Sequence, residues 1–314
     1  VRALITEHIS DSGVRRLSEV FRVDVALGLS PEELEERIGP YHALVVRSQT
    51  KVSASVISAG RNLRVVGRAG VGLDNIDLDA ARSRGIVVVN VPDGNTVSVA
   101  EHTFGLMLAL ARRIPEADAG LKGGRWERSR LTGTELWGKT LGIIGLGRIG
   151  TEVARRALAF GMEVVFHDPF VPVAAPPLTG MRELPLEEVL PRADFLTIHA
   201  PLNERTRGMI AERELSLMKR GARLINCARG GIVDERALHR ALETGHLAGA
   251  ALDVFEEEPS VGNPLLRLPN VVATPHLAGS TREAEERNGV YIAERIIEAV
   301  GNLPVMEKKG MGNG

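Results

Sequence analysis

The chain has a single cysteine, few aromatic residues and almost no net charge. Of its 314 residues one is cysteine and 4% are aromatic, and the formal net charge is -1. One cysteine cannot form an internal disulfide or a cysteine metal cluster. A nearly neutral chain has no general positive field for nucleic-acid phosphates or anionic membranes. We therefore expect no bound metal, no nucleic-acid partner and no membrane partner.

Long apolar runs are also missing. The longest, residues 104–111, is far shorter than the roughly 18 residues that indicate a membrane span. Residues 1–5 run directly into Glu7 and His8, so no signal peptide is predicted. Because the apolar fraction of 44% and the charged fraction of 25% are ordinary, we expect a globular, cytoplasmic protein.

Short β-branched runs alternate with longer amphipathic segments through most of the chain. This alternation predicts right-handed βαβ units and an α/β fold with open, doubly wound parallel sheets. At roughly 150 residues per domain, the length predicts two domains. The predicted strands are residues 2–5, 43–47, 64–67, 87–90, 141–144, 163–167, 195–198, 223–226, 249–253 and 271–273.

The strands and helices form two series. The first series lacks a glycine-rich turn, and the second begins near residue 139 and has one. Residues 95–113 predict one long helix, residues 120–137 an irregular segment, and residues 283–300 a closing helix that returns to the first domain. The predicted domains are therefore 1–94 with 285–314, and 95–284. We expect a cleft between them, where small ligands usually bind.

A glycine-rich turn follows the first strand of the second series. It reads Gly145-Leu146-Gly147-Arg148-Ile149-Gly150 and opens a predicted helix. The first glycine permits the tight turn, the second lets the backbone approach a pyrophosphate, and the third allows close helix–strand packing. Arg148 and Ile149 begin the helix, and their unpaired backbone N–H groups and the partial positive charge at the helix amino terminus favour phosphate. This pattern predicts a dinucleotide site.

Asp168 follows the next strand, eighteen residues past Gly150. A carboxylate at this point can accept both ribose hydroxyls and repels the extra phosphate of NADP. His167 and Pro169 flank it without an arginine, so the predicted cofactor is NAD. A structural turn with an incidental aspartate is the alternative.

Three further residues follow predicted strands of the second series. Arg229, Glu258 and His276 lie past the carboxyl ends of strands, where α/β sheets place ligands. A guanidinium can hold a carboxylate or polarise a carbonyl, and histidine can take the proton of a hydroxyl that is being oxidised. A carboxylate on the far ring nitrogen fixes the tautomer and favours the protonated ring.

Other side chains compete for these roles. His102, beside Glu101 in the long helix, is the best rival histidine, and we interpret it as a packing or cleft-lining residue. The residues alone do not decide which glutamate of the acidic run 256–258 meets His276. No feature of the sequence marks Cys227 as an activated thiol.

Several segments closely resemble the NAD-dependent D-2-hydroxyacid dehydrogenase family, and the resemblance covers nearly the whole chain. They are residues 66–77, 94–103, 145–150, 226–231, 251–259 and 274–281. The resemblance implies a flavodoxin-like substrate domain beside a Rossmann NAD domain. It implies that His276 is the acid/base, that Glu258 is its partner, and that Arg229 anchors the substrate.

The resemblance also implies cofactor contacts beyond the glycine turn and Asp168. It makes Asp253 the partner of the nicotinamide amide. The other implied contacts are Thr206, Cys227, Ala228, Arg229, His276, Ala278 and Gly279.

Within the family the chain is most similar to members that oxidise D-3-phosphoglycerate, the entry step to serine. In these members Arg47 and Arg68 match positions that contact the phosphorylated 2-hydroxy acid, together with Arg229 and His276. The resemblance also implies that Gly70 and Val71 give backbone N–H groups to the carboxylate of this acid. Arg128 matches a residue that reaches across a dimer, so we expect a homodimer or a dimer of dimers.

Alternatives to this substrate remain open. Arg47 and Arg68 could instead form ion pairs on the domain surface. The acid could be glyoxylate, hydroxypyruvate or D-lactate. A protein of another class, an NAD-sensing scaffold similar to transcriptional corepressors, could keep the same three catalytic residues.

Overall fold

The computed structural model describes residues 1–170 and 178–301. Residues 302–314, which the sequence analysis assigns to the first domain, lie outside the described residues. The chain divides into two compact units. The first unit consists of Val1–Asn95 and the chain from Ser280 onwards, and the second unit is Thr96–Gly279.

The first unit is built on a five-stranded parallel sheet. Its strands are β1 (Arg2–Ile5), β2 (Arg22–Val25), β3 (Ala43–Val46), β4 (Val65–Arg68) and β5 (Val87–Asn90), in the order β2-β1-β3-β4-β5. Its helices are α1 (Asp11–Ser18), α2 (Pro31–Arg37), α3 (Ala54–Ala59), α4 (Leu78–Ser83) and the closing helix α11 (Arg282–Gly301). This strand order is that of flavodoxin-like sheets, which confirms the predicted fold class.

The short helices of the first unit begin where the sequence supplies a capping side chain. Ser10, Ser30 and Ser53 precede α1, α2 and α3, and Asp77 precedes α4. Each of these side chains accepts a hydrogen bond from a backbone N–H in the first turn of its helix. Pro31 occupies the first turn of α2, where its missing N–H costs no hydrogen bond.

The closing helix α11 packs on the first-unit sheet. Ile292 and Ile296 of α11 are fully buried. Both lie against Gly67 of β4, where an added Cβ would overlap the side chain of Ile296. A larger residue at Gly67 would therefore push the helix away from the sheet.

The second unit begins with helices and continues into a seven-stranded parallel sheet. Its helices are α5 (Thr96–Arg112), α6 (Ile114–Lys122), α7 (Arg148–Ala159), α8 (Leu186–Val189), α9 (Glu212–Leu217) and α10 (Glu235–Glu243). Its strands are β6 (Thr140–Ile144), β7 (Glu163–His167), β8 (Met181–Glu183), β9 (Phe195–Ile198), β10 (Arg223–Asn226), β11 (Gly249–Leu252) and β12 (Val271–Ala273). Short 3-10 helices lie at Arg128–Leu131 and Pro264–Arg267.

The strand order of the second unit is β12-β11-β10-β9-β6-β7-β8. The order reverses between β6 and β9, which pair in parallel along their length. Open α/β sheets bind ligands at the carboxyl ends of the strands where the order reverses. The glycine turn after β6 lies at this point, so the sheet places it where a dinucleotide would bind.

Apolar side chains cover both faces of the second sheet. One buried cluster includes residues of α5 and α7, and the other includes residues of α9 and α10. Burial on both faces explains why β9 and β11 consist almost entirely of apolar residues. Within the described ranges, no helix combines the length and apolar character that crossing a bilayer requires.

The structure differs from the predicted elements in three segments, namely residues 120–137 and two strands that were not predicted. Residues 120–137 are not wholly irregular, because α6 extends to Lys122 and a 3-10 helix follows at Arg128–Leu131. The strands β2 and β8 were not predicted because each lies at a sheet edge and lacks a buried apolar run.

The long helix α5 ends at Arg112, close to the predicted end. Arg113 takes a left-handed conformation with φ 53° and turns the chain into α6.

Candidate active site

The three glycines of the turn have different environments. Gly145 has φ 88°, and an added Cβ would lie 2.7 Å from the carbonyl oxygen of His199. A Cβ on Gly150 would overlap the carbonyl oxygen of Gly145. A Cβ on Gly147 would meet no atom within 4 Å. Gly145 and Gly150 are therefore required by packing inside the protein, whereas Gly147 faces open space that a ligand could fill.

The helix α7 begins next to the open space at Gly147. Gly147 is its N-cap residue and offers no side-chain cap. Arg148 is exposed, whereas Ile149 packs against the apolar cluster beneath the turn. The amino terminus of a twelve-residue helix is therefore presented beside Gly147, which has no side chain, and this arrangement fits a pyrophosphate.

Asp168 lies next to the glycine turn. Its Oδ2 accepts a hydrogen bond from the backbone N–H of Leu146 at 2.7 Å, and its Oδ1 accepts one from Phe170 at 2.9 Å. Each carboxylate oxygen has two acceptor sites, so one bond to each oxygen leaves room for a hydroxyl donor. The two backbone bonds also hold the carboxylate in place relative to the turn.

His276 and Glu258 form a hydrogen-bonded pair. The ring Nδ1 of His276 lies 2.7 Å from Glu258 Oε2. The other carboxylate oxygen, Oε1, accepts a hydrogen bond from the backbone N–H of Phe255 at 3.1 Å, which orients the carboxylate. Because an ionised carboxylate only accepts hydrogen bonds, Nδ1 carries the proton. In the neutral ring, Nε2 is then left bare and able to accept a proton.

Asp253 holds the chain around His276. Its carboxylate is fully buried and accepts hydrogen bonds from the backbone N–H groups of Leu277, at 2.9 Å, and Ala278, at 2.8 Å. The hydroxyl of Thr274 donates to the same carboxylate at 2.5 Å. The N–H of His276 donates to the backbone carbonyl of Asp253 at 2.8 Å. The predicted contact of Asp253 with the nicotinamide amide stays a prediction.

The chain at Arg229 is fixed by the end of β10. The side chain of Asn226 donates to the carbonyl of Arg229 at 3.0 Å and accepts from the N–H of Ala228 at 3.0 Å. The Arg229 guanidinium donates to the carbonyl of Ala228 at 2.7 Å. A Cβ on Gly230 would overlap the carbonyl of Phe255, so this loop packs against the segment that leads to Glu258.

These contacts link the loops that carry the three predicted catalytic residues. Gly230, next to Arg229, lies against Phe255, whose N–H holds the Glu258 carboxylate, and Glu258 in turn binds His276. The structure therefore brings the three loops together at the carboxyl ends of β10, β11 and β12. Glu258, rather than Glu256 or Glu257, is the glutamate that meets the imidazole.

Other predicted cofactor contacts lie on the same unit. Cys227 is buried, and this burial raises the pKa of its thiol to about 12, so it is an inert thiol. The hydroxyl of Thr206 is held within its own turn by the carbonyl of Pro201 at 2.6 Å. Ala278 is buried and Gly279 partly buried at the end of the Asp253-bound loop.

Sequence reasoning missed His199, which lies beneath the glycine turn. Its ring Nε2 is 3.0 Å from the hydroxyl of Thr197, and Nδ1 has no hydrogen-bond partner among the described residues. Desolvation of this partly buried imidazole lowers its pKa to about 3. The available signal was its position directly after β9, the neighbour of β6 in the sheet.

The first unit carries the predicted substrate arginines. Arg47 and Arg68 lie at the carboxyl ends of the adjacent strands β3 and β4, and the Arg68 Nε donates to the carbonyl of Arg47 at 3.2 Å. Both also form ion pairs, Arg47 with Glu285 at 3.0 Å and Arg68 with Asp74 at 3.9 Å. Both arginines therefore form the ion pairs considered as the alternative to substrate binding, although the Arg68 side chain is only 11% exposed.

The remaining predicted residues extend these two regions. The N–H of Gly70 donates to the carbonyl of Arg68 at 2.8 Å, and the carbonyl of Val71 accepts from the side chain of Asn90 at 2.5 Å. Arg128, in the second unit, is exposed on the short 3-10 helix. Their proposed contacts with substrate stay predictions.

Comparison with known proteins gives a consistent match. The family model for the D-isomer specific 2-hydroxyacid dehydrogenase, NAD binding domain, matches residues 104–278. The chain is 49% identical to D-3-phosphoglycerate dehydrogenase of Methanocaldococcus jannaschii, over 99% of this chain and 61% of that protein. Two other relatives of the same name are matched over 58% of their length, so this chain spans about three fifths of these curated relatives.

Solved structures show the same fold. The TT0316 protein from Thermus thermophilus superposes with a TM-score of 0.89 at 40% identity, covering 96% of this chain and 97% of that chain. D-Lactate dehydrogenase from Aquifex aeolicus, complexed with NAD and lactic acid, superposes with a TM-score of 0.86 at 31% identity. In that comparison 96% of each chain is covered.

Proposed function

We infer the function from the family, because this chain belongs to the D-isomer specific 2-hydroxyacid dehydrogenases and carries their NAD-binding domain. We propose that it oxidises D-3-phosphoglycerate to 3-phosphohydroxypyruvate with NAD, the first step towards serine. The observation that carries the proposal is the 2.7 Å contact between His276 Nδ1 and Glu258 Oε2. Relatives named D-3-phosphoglycerate dehydrogenase, at 46% to 50% identity, support the choice of acid.

His276 is the proposed acid/base. Glu258 holds the proton on Nδ1, so the bare Nε2 takes the proton of the substrate hydroxyl during oxidation and returns it during reduction. The imidazolium that forms is stabilised by the neighbouring carboxylate, to which it stays hydrogen-bonded. Glu258 therefore sets the tautomer of the ring and stays bonded to it through the proton transfer.

The second unit would hold NAD along the turn after β6. The N–H groups at the start of α7 and the open space over Gly147 receive the pyrophosphate, and Asp168 receives the ribose hydroxyls. Bound NAD supplies the acceptor for the hydride that leaves the substrate carbon. Arg229 would hold the substrate carboxylate by charge-assisted hydrogen bonds.

Arg47 and Arg68 are the proposed phosphate ligands. Two cations at adjacent strand ends, with the Arg68 guanidinium bonded to the Arg47 backbone, suit a doubly charged phosphate. Glu285 pairs with Arg47 at 3.0 Å, so substrate would replace a carboxylate on this arginine. Arg128 would add a further charge from a partner subunit.

An activity screen with NAD tests the substrate. The full chain is assayed with D-3-phosphoglycerate, with D-lactate, and in reverse with glyoxylate and hydroxypyruvate. Removing one charge-assisted bond worth about 1.5–3 kcal/mol predicts that Arg47→Ala raises KM for phosphoglycerate by roughly 10- to 150-fold. Arg61→Ala, an exposed arginine of the same unit, is the matched control and should leave KM unchanged.

Two outcomes would contradict the proposal. Preference for an unphosphorylated acid, with rates that Arg47→Ala leaves unchanged, would remove the phosphate assignment. Absence of turnover on every acid, with NAD still bound, would favour the scaffold alternative. Turnover that His276→Ala abolishes, while NAD binding persists, is the result expected for the enzyme.

We propose further that the chain works as a homodimer, or a dimer of dimers, in the cytoplasm. Ile114, Leu121, Trp126 and Trp137 are 51%, 60%, 81% and 75% exposed, respectively. Several large exposed apolar side chains in one segment are typical of a protein interface. Sedimentation velocity measures the assembly, and a monomer at micromolar concentration would contradict it.

A further inference from the structure

His102 lies on α5, away from the loops that carry the proposed catalytic residues in the sequence. Its ring Nε2 is nevertheless 3.0 Å from the hydroxyl of Thr274 and 3.6 Å from Asp253 Oδ1. The side chain is 21% exposed, whereas the Asp253 side chain has no exposed surface. The helix α5 packs against β10, β11 and β12, and this packing brings the ring to the end of β12.

The hydrogen-bond chemistry of this cluster assigns its protons. A threonine hydroxyl has one proton, and the Thr274 hydroxyl lies 2.5 Å from Asp253 Oδ1, which can only accept. Thr274 therefore donates to Asp253 and accepts from His102. Consequently Nε2 of His102 carries a proton and points it at the Thr274 oxygen.

The same cluster determines the backbone beside His276. Asp253 accepts from the N–H groups of Leu277 and Ala278, and His276 itself has a left-handed backbone with φ 51°. Such a conformation is unfavourable for a residue with a side chain and persists only where the surroundings hold it. The bonds from His102 through Thr274 to Asp253 are part of those surroundings.

We propose that His102 is a positioning residue for the reaction. By donating to Thr274, it orients the hydroxyl towards Asp253 and completes the hydrogen bonding of the buried carboxylate. That carboxylate holds the backbone N–H groups of Leu277 and Ala278, directly after His276, and so keeps the His276 imidazole on Glu258. This inference rests on the proposed function, because the residue that is positioned is the proposed acid/base.

Two substitutions at His102 separate this role from simple packing. The amide nitrogen of glutamine reaches the place of histidine Nε2, whereas asparagine is too short to do so. We expect His102→Asn to lower kcat at least tenfold with a smaller change in KM, and His102→Gln to stay within about twofold of wild type, since a tenfold change corresponds to 1.4 kcal/mol. Thr274→Val should resemble His102→Asn, and Thr274→Ser should retain activity.

A double variant tests whether the two residues act in one chain of bonds. If they do, His102→Asn with Thr274→Val should lower kcat no further than either change alone. Equal kcat for the asparagine and glutamine variants would overturn the proposal. The proposal would also be overturned if kcat fell in His102→Asn and His102→Gln to the extent that Tm fell, because the loss would then reflect stability alone.

A second readout does not depend on turnover. Amide hydrogen exchange followed by NMR reports the N–H groups of Leu277 and Ala278 directly. They should be protected in wild type and in His102→Gln, and should exchange faster in His102→Asn. If wild type turns over no acid, the proposed function fails, but the exchange pattern still tests the positioning role. Unchanged exchange of Leu277 and Ala278 in His102→Asn would overturn the positioning role.

Discussion

At the scale of single residues, function depends on side chains that are oriented by the backbone of other loops. Glu258 is held by the N–H of Phe255, and His276 by the carbonyl of Asp253. Neither candidate catalytic side chain is deeply buried, since their exposed fractions are 45% for His276 and 37% for Glu258. Orientation by hydrogen bonds, rather than burial, therefore prepares this pair for proton transfer.

Exchange of Glu258 for glutamine tests the pair. An amide can donate to the ring and so stabilise the wrong tautomer, and we expect kcat to fall by about 10- to 100-fold. Glu257→Gln is the matched control, because Glu258 and not this exposed neighbour bonds to the ring, and it should leave kcat unchanged. Steady-state kinetics on both variants measure this, and an equal fall in both would contradict the assignment.

At the scale of elements, the turn between β6 and α7 separates two reasons for glycine. Gly145 and Gly150 are required because their neighbours leave no room for a Cβ, whereas Gly147 has open space. Gly145 and Gly150 therefore contribute to the packing of the fold. Gly147 leaves access to the amino terminus of α7.

Alanine substitutions should separate these two contributions. We expect Gly147→Ala to keep its Tm but to raise the Kd for NAD by about tenfold or more, a loss of at least 1.4 kcal/mol. Gly150→Ala should cost about 1–3 kcal/mol of folding stability through overpacking and lower the Tm. Thermal unfolding and calorimetric titration with NAD measure both effects.

Gly105→Ala is the control for adding a methyl group to this unit. Gly105 lies exposed within α5, and an added Cβ meets no atom within 4 Å. Alanine should leave the Kd for NAD unchanged and stabilise the helix by roughly 0.5–1 kcal/mol. Weaker NAD binding in Gly150→Ala alone, with Gly147→Ala unaffected, would contradict the assignment of Gly147 to the ligand.

At the scale of the whole molecule, one desolvated imidazole, that of His199, makes folding stability depend on pH. The pKa of His199 is about 3 in the folded protein against 6.5 for an unburied histidine. Between these values the unfolded chain binds a proton that the folded chain does not. The free energy of unfolding that depends on His199 staying neutral is therefore fully present above pH 6.5. It is lost as the pH falls from 6.5 towards 3.

Exchange of His199 for glutamine should remove this dependence. We expect wild type to lose about 2 kcal/mol more free energy of unfolding than His199→Gln between pH 7 and pH 5. Urea unfolding at the two pH values measures the difference. His8→Gln, at an exposed position, should behave as wild type, and identical pH dependence in all three proteins would contradict the expected role of burial.

Much of the fold and of the candidate site was predictable because it depends on local chemistry. The turn from residue 145 to 150 was predictable from its glycine spacing between a predicted strand and a predicted helix. The strands β9 and β11 were predictable because burial on both faces requires continuous apolar runs. The edge strands β2 and β8 were not, because half-exposed positions accept polar residues.

The sequence by itself determined the α/β class, the position of the dinucleotide turn, the candidates Arg229 and His276, and the acidic run 256–258 as the source of the partner glutamate, because spacing and residue chemistry are local properties. Only the tertiary structure decided that Glu258 is the glutamate on the ring, that His102 reaches Thr274, and that His199 lies under the turn. These contacts join residues distant in the chain or choose among adjacent like residues. Such pairings depend on strand order and backbone conformation, which local patterns do not specify.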